Sequence, residues 1–430
     1  MYLDGPMTNR NRGAEKTTGG TVPYYLMIAY LACEYLQPGV KYPILAPFRP
    51  VLIVGVLAGI SSIAYLYSRR GRPLVFGTQT KIMLVTLAFM GASLIGAYVQ
   101  QRAFDFWMML AKRLVFLFLM INVIDTLAKL RGLLHALLLI HVIVAVNGLQ
   151  AFQTTERAPR EALAGVLASF LGDPNDFALA MNVIVPYAMF LIFSTRIAWA
   201  RFLKAGCVVL YALSIVFTFS RGGFVTLLFI VFYVLMKSQK KLLAATLAGV
   251  LLLVLIAVIP QSYWERMQTI GAYQDDGSAT RRLWAWEAGW KMALDNPILG
   301  MGPGNFETGY GLFYRPHEAQ YARWAPESWV SPHSIYFQVM GELGFVGLGL
   351  FGLLAGSTFR AQQALLRRYR AHEGKARSED REFAKAACCA MQTSLLAFLI
   401  GGAFLSAAYY PYLWLNAALT QMLANNSPEA

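Results

Sequence analysis

Apolar residues in this chain run on well past the length that one buried face of a helix or strand requires. Val51–Tyr67, Phe202–Phe219 and Leu242–Ile259 are typical of these runs. About 17–25 apolar residues wound as a helix match the hydrocarbon thickness of a bilayer. In that solvent only a helix or a closed barrel satisfies every backbone hydrogen bond. The pattern predicts an all-α fold with spans near 22–36, 50–67, 82–99, 104–124, 132–150, 175–194, 202–219, 222–236, 242–259, 333–357, 386–408 and 410–424. The turn residues Gln37-Pro38-Gly39, Gly172-Asp173-Pro174 and Tyr410-Pro411 interrupt runs that would otherwise merge.

Composition supports this reading. Of 430 residues, 57% are hydrophobic and 14% charged. A soluble domain carries about 25% charged residues, so this chain has too few for a water-facing surface. Lys and Arg in the connections orient the helices. With the N-terminus inside, the inner segments 1–21, 68–81, 125–131, 195–204, 237–241 and 358–385 hold 23 basic residues. The outer segments near 37–49, 100–103, 151–174 and 219–221 hold 6. Both termini are therefore expected in the cytoplasm. The net charge of +14 is mostly topology: it suits anionic lipid at the cytoplasmic face and is no nucleic-acid footprint. Cys33, Cys207, Cys388 and Cys389 show neither metal-ligand spacing nor a disulfide framework. The polar stretch Met1–Gly20 is unlike a cleavable signal peptide, so the first apolar run is expected to be an anchor itself.

The expected organisation is a cytoplasmic tail at 1–21, helices 1–9 over 22–259, and a large outer segment at 260–332. Helices 10–12 follow over 333–424, with a cytoplasmic loop at 358–385 and a tail at 425–430. The outer segment has a composition of its own. It holds Trp264, Trp284, Trp286, Trp290, Trp324 and Trp329, together with Arg266, Arg281, Arg282, Arg315 and Arg323. A long loop on such a scaffold is more often functional than a connector. Its tryptophans suit either sugar stacking or interfacial anchoring and decide nothing alone.

Three stretches carry candidate chemistry. In Thr218-Phe219-Ser220-Arg221-Gly222-Gly223, an arginine sits at the outer end of two closely spaced apolar runs. A charge near membrane depth is costly and marks function by default, although an interfacial arginine can also snorkel. The adjacent glycines let backbone and a bulky anion approach. In Asp276–Arg282, followed by Trp286 and Trp290, the +4 and +8 spacing from Arg282 puts both indoles on one helical face. That helix, about 281–294, is expected to lie along the membrane surface. It stops before Asn296-Pro297, and Gly300-Met301-Gly302-Pro303-Gly304 reads as a chain reversal rather than a phosphate loop. In Ser331-Pro332-His333-Ser334-Ile335-Tyr336, a histidine is expected to open a long helix at the outer surface. Histidine accepts protons near neutral pH, yet a lone one at a helix start is commonly a capping or interfacial residue. His317 in the outer segment is the weaker alternative. His372 falls in a cytoplasmic charge run, and His135 and His141 share one apolar helix.

Ser220-Arg221-Gly222-Gly223, then Arg282 with Trp286, Pro297, Gly300 and Gly302, then Pro332-His333-Ser334, Glu342-Leu343-Gly344 and Gly347 together resemble the O-antigen ligase and polymerase superfamily. The signature covers about 215–355. Asp276, Ser278, Ala279 and Arg282, with Gly172–Ala178, look most like the O-glycosylation ligases associated with exosortase systems. Arg281 competes with Arg282 for the family position, and the tryptophan spacing favours Arg282.

The resemblance implies an inner-membrane glycosyltransferase with a periplasmic active site. Its donor would be a glycan on undecaprenyl diphosphate, and its acceptor lipid A–core or another glycan. Membrane lipids, rather than nucleic acid, are its surroundings. Arg221 and Arg282 would bind the diphosphate and stabilise its departure, and His333 would take the acceptor hydroxyl proton. Arg281, Trp286 and Tyr336 join the expected substrate-binding set. No cofactor is expected, and with no acidic pair or metal-ligand spacing outside, catalysis is expected to be metal-independent. A polymerase using the same donor remains open. A transporter of lipid-linked sugars, from a different class, would show internal repeats and charges near the bilayer midplane. Here no such repeat is visible, and the charges gather on one side.

Overall fold

The computed structural model describes residues 20–69, 73–154, 163, 171–238, 240–258, 277–317, 329–371 and 379–426. The expected roles of Trp264, Arg266, Asp276, Arg323, Trp324 and His372 lie outside these residues. Every regular element among the described residues is helical, and the chain is an all-α polytopic membrane protein. The helices are α1 (Thr21–Leu36), α2 (Pro50–Ser68), α3 (Thr78–Ser93), α4 (Gln100–Val123), α5 (Leu127–Thr154), α6 (Pro174–Ser194) and α7 (Ala198–Phe217). They continue as α8 (Arg221–Lys237), α9 (Lys241–Val258), α10 (Gly277–Asp295), α11 (Ile335–Ala371), α12 (Glu379–Gly402) and α13 (Pro411–Asn425). All but α10 coincide with the twelve apolar runs. Among the described residues, seven (α2, α4, α5, α6, α7, α11 and α12) are long and apolar enough to cross a membrane.

The centre of the bundle is α6, buried from Pro174 to Ile192 except at Asn175 and Asp176. Small residues let neighbours approach it. A Cβ on Gly223 would come within 2.7 Å of Ala178 Cβ, and one on Gly401 within 2.8 Å of Leu179 Cδ1. Close approach at small residues drives helix association in lipid, where burial alone does not. Polar side chains add ties. Asn182 donates to the carbonyls of Ala178 and Gly223, both at 2.9 Å. Gln362 donates to Asn416 Oδ1 at 2.7 Å, and Asn416 to the Met391 carbonyl at 3.0 Å, joining α11, α13 and α12.

Cross-bundle contacts sort the helix ends. At one end Ser220 meets Asn175, Tyr410 meets Asp176 and Asn305 meets Val99. At the other, Arg131 meets Glu379 and Asp380, and Asn426 meets the Ile124 carbonyl. The described residues 277–317 between α9 and α11 belong to the first end, as the up-down pattern requires.

Three expectations change, and the packing of α10 is added to them. The third helix stops at Ser93 instead of reaching residue 99. Ser93 Oγ donates to the Leu299 carbonyl at 2.6 Å and Tyr98 N to the Met301 carbonyl at 3.3 Å, so the chain there pairs with the outer segment. The inner connection expected at 358–385 is largely helix, since α11 continues to Ala371 and α12 starts at Glu379. Helix α10 packs along the first turns of α11. Gly289 lies against Phe337 and Phe306, and Met292 lies against Gly341. Finally, α11 begins at Ile335, two residues after His333, and breaks at Gly344 (φ 66°, ψ −169°).

That break clamps the glycine turn onto α11. A kinked helix frees carbonyls that its own next turn would otherwise bond. Here the Gly341 carbonyl accepts from Met301 N at 3.0 Å and the Glu342 carbonyl from Gly302 N at 2.9 Å. Phe345 N returns a bond to the Pro297 carbonyl at 2.8 Å. The Glu342 carboxylate, buried, accepts from Phe306 N at 3.3 Å and Tyr409 OH at 2.6 Å. The chain reversal read from sequence is present, with Gly300, Gly302 and Gly304 all at positive φ.

Candidate functional site

The turn between α7 and α8 builds the floor of the site. Phe219 is left-handed (φ 56°), which reverses the chain within a few residues. Ser220 then caps α8, its Oγ accepting from Gly223 N at 3.1 Å. The same hydroxyl donates to Asn175 Oδ1 at 2.7 Å, and Asp173 caps α6 by accepting from Asn175 N at 2.8 Å. Two helix N-termini thus meet at one spot, with Arg221 as the half-buried first residue of α8. Such termini present N–H groups and a positive dipole end, and so favour anions.

A cleft of about 300 Å³ opens here, lined by Asn175, Ser220, Gly222, Gly223, Arg282 and Phe404 among others. It is Arg282, rather than Arg281, that lines it. A Cβ on Gly222 would lie 3.7 Å from Phe404, so the glycine leaves backbone accessible beside the cleft.

His333 reaches this place from another direction. Three successive residues are held by three different elements. Ser331 Oγ donates to Glu307 Oε1, whose other oxygen pairs with Arg102 of α4 at 2.9 Å. The Pro332 carbonyl accepts from Trp286 Nε1 at 3.0 Å. His333 N donates to Ser406 Oγ at 2.9 Å. His333 itself is left-handed (φ 45°) and precedes α11 instead of opening it. A positive φ cannot continue into a helix, and at a non-glycine residue it is a strained conformation that surrounding contacts must maintain. Ser406 follows Phe404 and Leu405, both of which line the cleft. The α12–α13 connection therefore joins the histidine to the arginine site.

The remaining candidates are placed less directly. Trp286 stacks on Phe337 with ring centroids 5.3 Å apart, so one indole face is covered. Trp290 meets Phe345 edge-on, and Tyr336 OH donates to the Leu399 carbonyl at 2.9 Å. His317 is exposed in the outer segment.

Sequence reasoning passed over Asn175, Asp176, Ser406 and Tyr410 as site residues. Tyr410 OH donates to Asp176 Oδ2 at 2.9 Å. Burial, and then the Asp176 carboxylate, raise the pKa of its phenol above the ordinary value. The usable signal was the polar cluster Asp173-Pro174-Asn175-Asp176 opening an otherwise apolar helix.

Residues 206–352 match the family described as O-Antigen ligase. The match runs from within α7 to within α11 and contains Arg221, Arg282 and His333. A comparison with curated proteins finds no match.

Proposed function

We propose a specific reaction, supported by the match of residues 206–352 to the family described as O-Antigen ligase. The protein transfers a glycan from undecaprenyl diphosphate to a hydroxyl of lipid A–core or another glycan. The observation that carries this reading is the convergence of Arg282, the Arg221 turn and the His333 segment on one end of the bundle.

The leaving diphosphate gathers negative charge as the anomeric carbon–oxygen bond breaks and its electron pair moves to the phosphate. Guanidinium groups match phosphate oxygens in a fork, and the α8 N-terminus adds backbone dipole. His333 accepts the acceptor proton as the new glycosidic bond forms. Arg281 lies next to this set, and Trp286 and Tyr336 act at its edge. With arginines neutralising the diphosphate, no divalent ion is required. The site faces the periplasm of the bacterial inner membrane, where the carrier presents its glycan.

Purified protein in detergent, given carrier-linked glycan and candidate acceptors, is expected to form a glycosylated acceptor and free undecaprenyl diphosphate. EDTA is expected to leave the rate within about twofold, because no step depends on a Lewis acid. Activity abolished by EDTA and restored by Mg²⁺ or Mn²⁺ would sink the arginine-only account.

The orientation has its own check. A cysteine at position 277, the start of α10, is expected to react with a membrane-impermeant thiol reagent once only the outer membrane is breached. Labelling that requires lysis of the inner membrane would reverse the topology.

A further inference from the structure

A second opening lies at the same end of the bundle, between α1, α2 and α4. It is an open groove of about 1310 Å³, against about 300 Å³ for the cleft at α8. Its walls are graded. Gln37, Arg49 and Lys112 stand at the end near the α1–α2 connection, and Tyr30, Val56 and Leu119 line the part within the bundle. Toward its inner end, a Cβ on Gly59 would meet nothing within 4 Å.

Two features separate this groove from ordinary lipid-facing surface. The first is charge. On α4, Arg102 pairs with Glu307 and Arg113 with Glu34. Arg49 and Lys112, both exposed, have no carboxylate partner among the described residues. Two cations at the mouth of an apolar slot complement a phosphorylated head on apolar chains. The second is backbone conformation. Among the described residues, four non-glycine positions have positive φ: Phe219, His333, Gln37 and Arg49. The first two shape the candidate site, and the other two line this groove. Gln37 ends α1 and Arg49 ends the 3-10 turn Pro43–Phe48 as left-handed caps, and these two reversals bring both residues to the groove.

We propose that this groove binds the acceptor as a phosphorylated glycolipid, its phosphates on Arg49 and Lys112 and its chains between α1, α2 and α4. The inference rests on the transfer reaction proposed above, in which the carrier diphosphate occupies the α8 cleft. Two lipids reacting with each other need two lateral entrances opening toward one centre. Hydrogen bonds link the elements that line the two openings. Arg113, next to Lys112, donates to the Tyr409 carbonyl. The adjacent Tyr410 bonds Asp176, whose neighbour Asn175 lines the cleft.

The test uses full-length protein in phosphatidylcholine nanodiscs, with lipid A–core as the probe. Dephosphorylated lipid A–core and phosphatidylglycerol serve as comparisons. The variants are Arg49→Ala combined with Lys112→Ala, and Gly59→Phe, which fills open space. Both are expected to weaken lipid A–core binding by about tenfold or more, as loss of charge-assisted contacts or of chain volume requires. Dephosphorylated lipid A–core should bind wild-type protein about as weakly. Carrier binding should be unchanged, and the KM for acceptor should rise while single-turnover transfer at saturating acceptor holds. Wild-type-like acceptor binding in either variant, or displacement of lipid A–core by an equal mole fraction of phosphatidylglycerol, overturns the proposal. If both variants lose acceptor binding but the wild type makes no glycosylated product, the groove stands and the transfer reading fails.

Discussion

Replacing His333 by asparagine or alanine is expected to lower single-turnover transfer about 10²–10⁴-fold, the usual contribution of a general base, with carrier binding retained. Asparagine is the sharper probe. Its side chain tolerates the left-handed conformation seen at φ 45°, so the Ser331–Ser334 segment should keep its three anchors, yet it cannot accept a proton at neutral pH. Alanine removes the ring but strains the backbone, so its loss mixes chemistry with geometry. The arginines should behave differently. Arg221→Ala and Arg282→Ala are expected to lose transfer and to weaken carrier binding as well, because a diphosphate is charged before it leaves. Lysine at either position should rescue only partly, since an ammonium lacks the planar fork. Carrier binding, single-turnover transfer and thermal unfolding on the same preparations separate these outcomes. If His333→Asn transfers at nearly the wild-type rate, the histidine only shapes the approach to α11, and exposed His317 becomes the next base to test.

Gly344→Ala and Gly300→Ala are also expected to be damaging, for a mechanical reason. At Gly344 a Cβ would lie 2.5 Å from the Pro297 carbonyl oxygen, and at Gly300 it would lie 2.3 Å from the Glu342 carbonyl carbon. Both neighbours are backbone and cannot swing aside. The positive φ adds on the order of 1–2 kcal/mol at each position. Since the clamp between the 296–306 turn and α11 positions α10, and with it Arg282, either change should release the outer segment while the bundle stays inserted. Limited proteolysis within 277–317 should accelerate, and transfer should fall by at least about tenfold. Gly349→Ala is the control: its Cβ would meet nothing within 4 Å, so it should match the wild type in both assays. Normal transfer by Gly344→Ala would show that the clamp does not position the site.

Much of this protein follows from its sequence alone. Twelve of the helices lie where the apolar runs place them, because hydrocarbon thickness and backbone hydrogen bonding leave little choice. As candidates, Arg221 and His333 stood out because a charge or imidazole beside a long apolar run is costly, and Arg282 because of its spacing to Trp286 and Trp290. Contact order hid the rest. Asn175 bonds Ser220 across 45 positions, Tyr410 bonds Asp176 across 234, and His333 N bonds Ser406 Oγ across 73. Neither local periodicity nor a turn signal encodes such pairings. The break at Gly344 was invisible for the same reason: a glycine inside an apolar helix reads as tolerated until Pro297 is seen packed against it. The left-handed conformation of His333 is likewise a product of assembly, imposed by three separate elements on a segment whose sequence favours entry into a helix. Sequence determined the membrane helices and the kinds of side chain available for chemistry. Tertiary packing decided which of those side chains gather at one end of the bundle, because only long-range contacts can hold the 277–317 segment against the helix ends.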